Sequence, residues 1–334
     1  MTTTETFTIM TQLQSLELPY AMKKAPHRSL QARDSNRYRT AVARTNYLHA
    51  RYRKAGKILG ADLLHTLGDG AAEILRVIER EEWRELSDVE KCAVGIFHYN
   101  LGQDLEIPFG ALESGERGWK NGAHFLEELV EWTEAYEREV ARPTETGDRY
   151  VRVYVNSGMV KMGRGVTGFV RKMVGCELSE TMRVSLGIEE AGLFMREFLW
   201  MIRTLRRYLL RYLALPRPEC FAYESVSAEP NGDGLYNFGH GGFQPWYVAP
   251  SFRTIWSPGA VLLRIFGARK PGSKGGRYKP TGYDLMTIGP VPQEGKGLEE
   301  MKAAIEVMKS RSTDECPFGD IKMRERKGFC TNKE

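Results

Sequence analysis

His49, in the string Ala43-Arg44-Thr45-Asn46-Tyr47-Leu48-His49-Ala50-Arg51-Tyr52, carries the first candidate chemistry. A neutral imidazole on a helix face can ligate haem iron or another transition metal and leave a coordination position for dioxygen or substrate. A lone histidine in a helical run is more often structural, so its meaning depends on its surroundings. A second candidate is Asp62-Leu63-Leu64-His65, a carboxylate and an imidazole one turn apart. A di-iron site on such a helix needs glutamates and a second Glu-x-x-His elsewhere. His124, Glu127 and Glu128 are the comparable set, in reversed order. A non-haem iron centre could also draw on His65, His98 or His124 with nearby carboxylates. HExxH and GxSxG are both absent, and no Cys–His pair has family-like flanks, so hydrolase classes find no support.

Two glycine-dotted stretches invite a phosphate-loop reading and fail it. GMVKMGRGVTGF (158–169) lacks the Gly-Lys-Ser/Thr ending and reads as a loop between helices. GSKGGRY (272–278) reads as a basic surface turn. The stretch LFMREFLWMIRTLRRYLLRYLAL (193–215) says more. Arg196, Arg203, Arg207 and Arg211 fall at steps of seven, four and four, on one side of a helix. Its five arginines exclude a membrane span. Two roles remain open: a helix lying in the headgroup layer of a membrane, or a core helix whose arginines meet internal acids or haem propionates.

The elements that must position these residues are helical from about Ser35 to Leu215. Expected helices run from Arg37 to Lys54, Ala61 to Glu82, Asp88 to about Leu105 and Asn121 to Val140. Ser87-Asp88-Val89-Glu90 is a capping box that opens the third. Shorter pieces are expected at Asp148 to Met162, Gly165 to Val174 and Ser179 to Leu186, then the long Leu193 helix. Pro216-Arg217-Pro218 breaks the pattern. The following Gly/Pro/aromatic-rich segment, 217–292, is expected to wrap the helical body, with one short helix at Gly259 to Phe266. A charged helix at Leu298 to Ser310 and a basic tail, within 293–334, read as peripheral. The expected divisions are therefore 1–35 as a tail, 36–216 as the helical domain, 217–292 as its extension and 293–334 as the periphery.

The chain has 334 residues, 42% hydrophobic and 27% charged, an ordinary globular composition. Net charge is +5, too mild to require a nucleic-acid partner. Cys92, Cys176, Cys220, Cys316 and Cys330 show no CxxC spacing and read as reduced thiols. No stretch has the apolar length of a bilayer span, and the first twenty residues lack the pattern of a signal peptide.

In their order, these segments resemble the family of fungal ER-bound oxygenases (mpaB) and rubber oxygenases (latex-clearing proteins). The strings that carry the resemblance are RTNYLHARYRKAGKILGADLLHTL (44–67), EEWRELSDVEKCAVGIF (81–97), GWKNGAHFLEELVEWTEAYE (118–137), RRYLLRYLALPRP (206–218), PWYVAPS (245–251) and RYKPTGYDLMTIGP (277–290). The resemblance implies an all-α fold with a globin-like helical core. It implies haem b as cofactor, dioxygen as co-substrate and oxidative cleavage of a C=C bond in an isoprenoid-bearing metabolite of secondary metabolism. It places the axial haem ligand at His49, with Arg44, Asn46 and Tyr52 at the haem periphery, and names no further catalytic residue. The implied location is the cytoplasmic face of the endoplasmic reticulum or the cytoplasm. The implied partners are an apolar small molecule and, through Leu193 to Leu215, a membrane surface. The chain departs from the family pattern in two places. No arginine ahead of His49 is followed four residues later by threonine, and position 65 is His where the family has tyrosine. The first departure predicts weak oxygen activation. The reading in a different class is a catalytically inactive relative that binds lipid or a partner through its basic helix.

Overall fold

A computed structural model describes residues 35–149, 151, 164–215, 226–227, 229–239, 245–265, 267–273, 278–310 and 317–318. Four long helices come first: α1 (Asn36–Lys54), α2 (Gly60–Glu81), α3 (Asp88–Asp104) and α4 (Gly122–Val140). α1, α3 and α4 each begin where a side chain satisfies a free amide of the first turn. Ser35 accepts from Tyr38 N at 3.1 Å, Asn121 from His124 N at 2.9 Å, and the Ser87–Glu90 capping box forms in both directions. Residues 104–106 end α3 through a left-handed residue, Glu106 at φ 55°, ahead of Pro108.

The main core lies where these four helices meet. Ala41, Val42, Leu64, Ala71, Val94, Phe125, Leu126 and Leu129 are buried together. The α3–α4 contact is the closest: a methyl group on Gly95 would lie 1.8 Å from the Gly122 carbonyl oxygen, so only glycine allows the two backbones to approach this far. Shorter helices follow: α5 (Arg164–Gly175), α6 (Glu180–Ser185), α7 (Leu193–Tyr212), α8 (Phe252–Trp256) and α9 (Pro258–Ile265). A 3₁₀ turn at Val291–Gln293 precedes α10 (Leu298–Ser310). Among the described residues there is no named strand. Three isolated bridges tie Val226 to Phe238, Tyr236 to Tyr283 and Phe238 to Val248. The chain is of the all-α class.

Several expectations need adjustment. The helix expected at Gly165 to Val174 forms as Arg164–Gly175, so the end of the glycine-dotted stretch read as a loop belongs to a helix. Phe252–Trp256 is a helix that the turn-rich composition hid, and the Ser251–Thr254 capping box nucleates it. The helix expected at the periphery, α10, packs along α1, with Met301 fully buried. Most of the expected Asp148 to Met162 helix, the expected tail 1–34, Pro216-Arg217-Pro218 and Cys220, Cys316 and Cys330 lie outside the described residues. Cys92 and Cys176 are free thiols.

Candidate functional site

α1 presents two faces with different work. Arg44 points into the molecule and is fully buried. Its guanidinium donates to the main-chain oxygens of Ile288 (2.6 Å), Lys296 (2.7 Å), Gln293 (2.8 Å) and Thr287 (3.1 Å). Burial pulls its pKa below the ordinary arginine value, with Tyr47, Asp284 and Glu294 opposing that shift. The planar five-donor fork suits this task, since each N–H reaches a separate carbonyl. Arg44 thereby fastens the turn between Asp284 and Gly297 to α1. Tyr47 completes the seam: its ring would meet a methyl on Gly297 at 2.1 Å, and Gly297 has φ +80°.

His49 lies on the adjoining face, half-buried, with Thr45, Asn46, Tyr52 and Arg53 three or four residues away. Asn46 Nδ2 donates to Asp104 O at 2.8 Å. Arg53 donates to Glu106 O at 2.7 Å and to Leu105 O at 3.2 Å, and its other nitrogen meets the Glu106 carboxylate at 3.3 Å. These bonds hold the strained Glu106 backbone and neutralise the carbonyl end of α3. Tyr38 on the same helix donates to the buried Asp104 carboxylate at 2.8 Å. His49 is thus placed between two side chains that grip the last turn of α3. Among the described residues, no hydrogen bond or ion pair reaches its ring nitrogens. Burial first, and the Arg53 charge second, lower its pKa, so the imidazole is neutral at pH 7 with a lone pair free for donation.

The other described histidines have protein partners. His98 is 3% exposed, its Nδ1 lies 2.8 Å from Val94 O, and burial pushes its pKa down to about 4. His65 Nε2 meets the Glu137 carboxylate at 3.2 Å, and its ring lies beside Tyr136, whose hydroxyl donates to Asp62. The Lys120 amide donates to His124 Nδ1 at 3.3 Å, while His124 Nε2 lies 3.9 Å from Glu128. Glu128 in turn accepts from Trp119 and the Ser114 amide. Among the described residues no three His, Cys, Asp or Glu side chains are grouped to hold a metal. The Asp62–His65 and His124–Glu128 sets therefore do not form a di-iron centre among those residues.

Sequence reasoning singled out His49, Arg44, Asn46 and Tyr52, but not the Arg53–Glu106 clamp. Arg53, four residues after His49 on the same face, was the available signal. It also missed the cluster of Tyr236, Phe238, Tyr247 and Tyr283, in which the buried Tyr283 hydroxyl has no hydrogen-bond partner among the described residues and its pKa is raised by burial.

α7 takes neither of its two expected roles in full. Three of its five arginines, Arg203, Arg206 and Arg207, turn inward onto the carboxyl end of α2. Arg203 pairs with Glu81 (2.8 Å) and Glu177, and Arg206 with Glu82 (3.1 Å) and the Glu81 carbonyl. Arg207 donates to the carbonyls of Glu79 and Arg80. The last carbonyls of α2 lack helical partners and carry the negative end of its dipole, and the arginines satisfy both. The apolar side of α7 faces away, and none of its residues is buried. No helix among the described residues is long and apolar enough to cross a membrane.

Comparison with known proteins identifies relatives along most of the chain. The ER-bound oxygenase mpaB' of Penicillium brevicompactum is 33% identical over 291 residues, 85% of this chain and 67% of that protein. The ER-bound oxygenase mpaB of the same species is 31% identical over 268 residues, 80% of this chain and 60% of that protein. The mpaB of Penicillium roqueforti (strain FM164) is 46% identical over 103 residues, 31% of this chain and 35% of that protein. The chain thus spans 67% of the length of the first of these relatives and 60% of the second. No family model matches, and no solved structure matches. Shared identity along most of the chain places it among these proteins, and it belongs to the family of ER-bound oxygenases that mpaB and mpaB' represent.

Proposed function

We propose that the chain is a haem-dependent oxygenase that cleaves a carbon–carbon double bond in an apolar, isoprenoid-bearing metabolite of secondary metabolism. In this reading it works at the cytoplasmic face of the endoplasmic reticulum, on the globin-like scaffold that the rubber-oxygenase resemblance implies. The names of the relatives support oxygenase chemistry and an ER-bound setting. The observation that carries the haem reading is His49: half-buried, its pKa lowered by burial, unpaired among the described residues, and within the string where the family resemblance implies the haem ligand. The donor fits the group, because iron takes a neutral imidazole. Haem b, when bound, supplies the dioxygen chemistry that side chains lack. The residues around it then have defined work. His49 would donate one ring nitrogen, kept unprotonated by its burial first and by the Arg53 charge second. Asn46 and Arg53 fix the helix face against α3 so that the imidazole is presented without freedom to turn away. Arg44 belongs to the opposite seam and supports α1 from behind, and Tyr52 flanks the ligand one turn further on.

Absorption spectroscopy of protein expressed with added haem tests this reading. The wild-type chain is expected to show a Soret band and to yield haem b on pyridine extraction. His49→Ala is expected to lose the band while keeping its helical circular dichroism. Wild-type haem content in His49→Ala would overturn the assignment. The second reading, a catalytically inactive relative that binds lipid or a partner, is favoured by the bare apolar face of α7. Colourless, iron-free wild-type protein would decide for it, and iron without a Soret band would point to a non-haem centre.

A further inference from the structure

The inverted polarity of α7 carries an inference that rests on this surface alone and not on the oxygenase chemistry. Phe194, Phe198, Met201, Leu205, Tyr208, Leu209 and Tyr212 recur at steps of three and four and share the outward side. All are exposed: Phe194 by 85%, Leu205 by 57% and Tyr212 by 60%. Trp200, 64% exposed, and Ile202 widen the ridge on its two flanks. Twenty helical residues give a ridge about 30 Å long. A continuous apolar surface of this kind on a folded body marks a contact site.

We propose that this ridge is a membrane-docking element, inserted side-on into the headgroup and upper acyl layer of an anionic bilayer while the arginines behind it tether the helix to the body. Three observations choose lipid over protein. First, the ring contacts of the ridge among the described residues are local to α7: Phe194 stacks on Phe198 at 6.4 Å, Tyr208 lies tilted against Tyr212 at 4.9 Å, and Arg211 lies over the Tyr212 ring at 5.3 Å. A bilayer accepts such a ridge without a matching groove. Second, aromatic residues occupy both ends, and Trp200, Tyr208 and Tyr212 carry the apolar body and polar tip that suit the headgroup boundary. Third, the flanks are basic. Arg196 and Arg206 are exposed beside the ridge, paired with Glu190 and Glu82 respectively, and Arg211 is exposed there with no carboxylate on it among the described residues. Glu197 is the one acid on α7 itself. Anionic headgroups complement Arg211, and the chain's net charge of +5 has the same sense.

Co-sedimentation of the 334-residue chain with vesicles tests the proposal. Vesicles of phosphatidylcholine with phosphatidylserine are expected to carry the protein down, and pure phosphatidylcholine to carry less. Phe198→Glu with Leu205→Glu is expected to lower the partition coefficient about tenfold or more, with an unchanged thermal midpoint. Val89→Glu, an exposed site on α3, is expected to leave binding as it is. If the double variant fails to fold, fluorescence decides. Mixed vesicles should blue-shift wild-type emission, and Trp200→Phe should lose that change while still sedimenting. The proposal is overturned if the wild-type chain stays in the supernatant, if the folded double variant sediments like wild type, or if Trp200→Phe keeps the full shift. It is also overturned if the ridge variant only dissolves a dimer that binds no vesicles. The presence or absence of a Soret band leaves every one of these outcomes unchanged.

Discussion

Arg44 Nε lies 2.6 Å from the carbonyl oxygen of Ile288, a bond that joins α1 to a turn 244 residues later. Three more carbonyls from the same turn accept from the guanidinium, and Met301 Sδ approaches it at 3.6 Å. No carboxylate touches it among the described residues. A buried cation satisfied chiefly by main-chain dipoles holds a loop in one conformation, since losing the donor strands those acceptors at once. The same helix carries His49 on its neighbouring face, so the register of α1 against the distal turn also sets where the imidazole points.

Arg44→Met keeps much of the volume and removes all four donors. The expected destabilisation is about 3–5 kcal/mol, the cost of breaking a buried charged network. Arg44→Lys should recover only part of it, because an ammonium cannot reach four separated carbonyls from one plane. Chemical denaturation of the two variants measures both values. A change below about 1 kcal/mol in Arg44→Met would show that the turn is held by its apolar contacts instead.

How much of this was legible in the sequence depends on the range of the interaction. α1, α4 and α10 were readable to within a residue or two because apolar spacing and capping residues are local signals, as with Asn121 and the Ser87–Glu90 box. His49 was legible as a histidine within a recognisable string. Arg44 was legible as a residue but not as a clamp, since its acceptors are carbonyls, which every residue possesses. α7 shows the same limit from another side. Its spacing revealed two faces, yet nothing local tells which face docks. The carbonyl end of α2 decides that, more than a hundred residues upstream.

His98 gives a prediction in pH. Its folded pKa is about 4, below the ordinary value of 6.5, because burial disfavours the imidazolium. The unfolded chain therefore takes a proton first as pH falls. The stabilisation from neutral His98 is complete above 6.5 and is lost progressively down to about pH 4, for a total of about 3 kcal/mol. His49, lowered in the same direction, adds to the slope. Urea titrations across this range should show His98→Leu flattening the dependence. An unchanged slope in that variant would assign the acid sensitivity to carboxylates.

The Gly95–Gly122 crossing predicts that Gly95→Ala is poorly tolerated. The added methyl meets a carbonyl oxygen at 1.8 Å, and neither backbone can yield without separating α3 from α4. A loss of about 1–3 kcal/mol or more is expected from this overpacking. Gly110→Ala, with open space around it, should be near neutral. Equal melting temperatures for the two variants would contradict the close contact.

Arg203→Glu combined with Arg207→Glu separates two accounts of α7. If the arginine stripe faced lipid, the double reversal would weaken vesicle binding and leave the fold untouched. The structure places Arg203 between Glu81 and Glu177 and Arg207 on the carbonyls of Glu79 and Arg80. Two new carboxylates there would face two existing ones and the negative end of the α2 dipole, so repulsion replaces attraction at every contact. The expected result is release of α7 from the body: faster hydrogen exchange across Leu193–Tyr212 and the last turn of α2, with α3 and α4 protected as before. Phe198→Glu with Leu205→Glu should do the reverse, sparing exchange and removing vesicle binding. If the arginine variant keeps wild-type protection in both helices, the inward docking of α7 is wrong, and the headgroup role of its arginines returns.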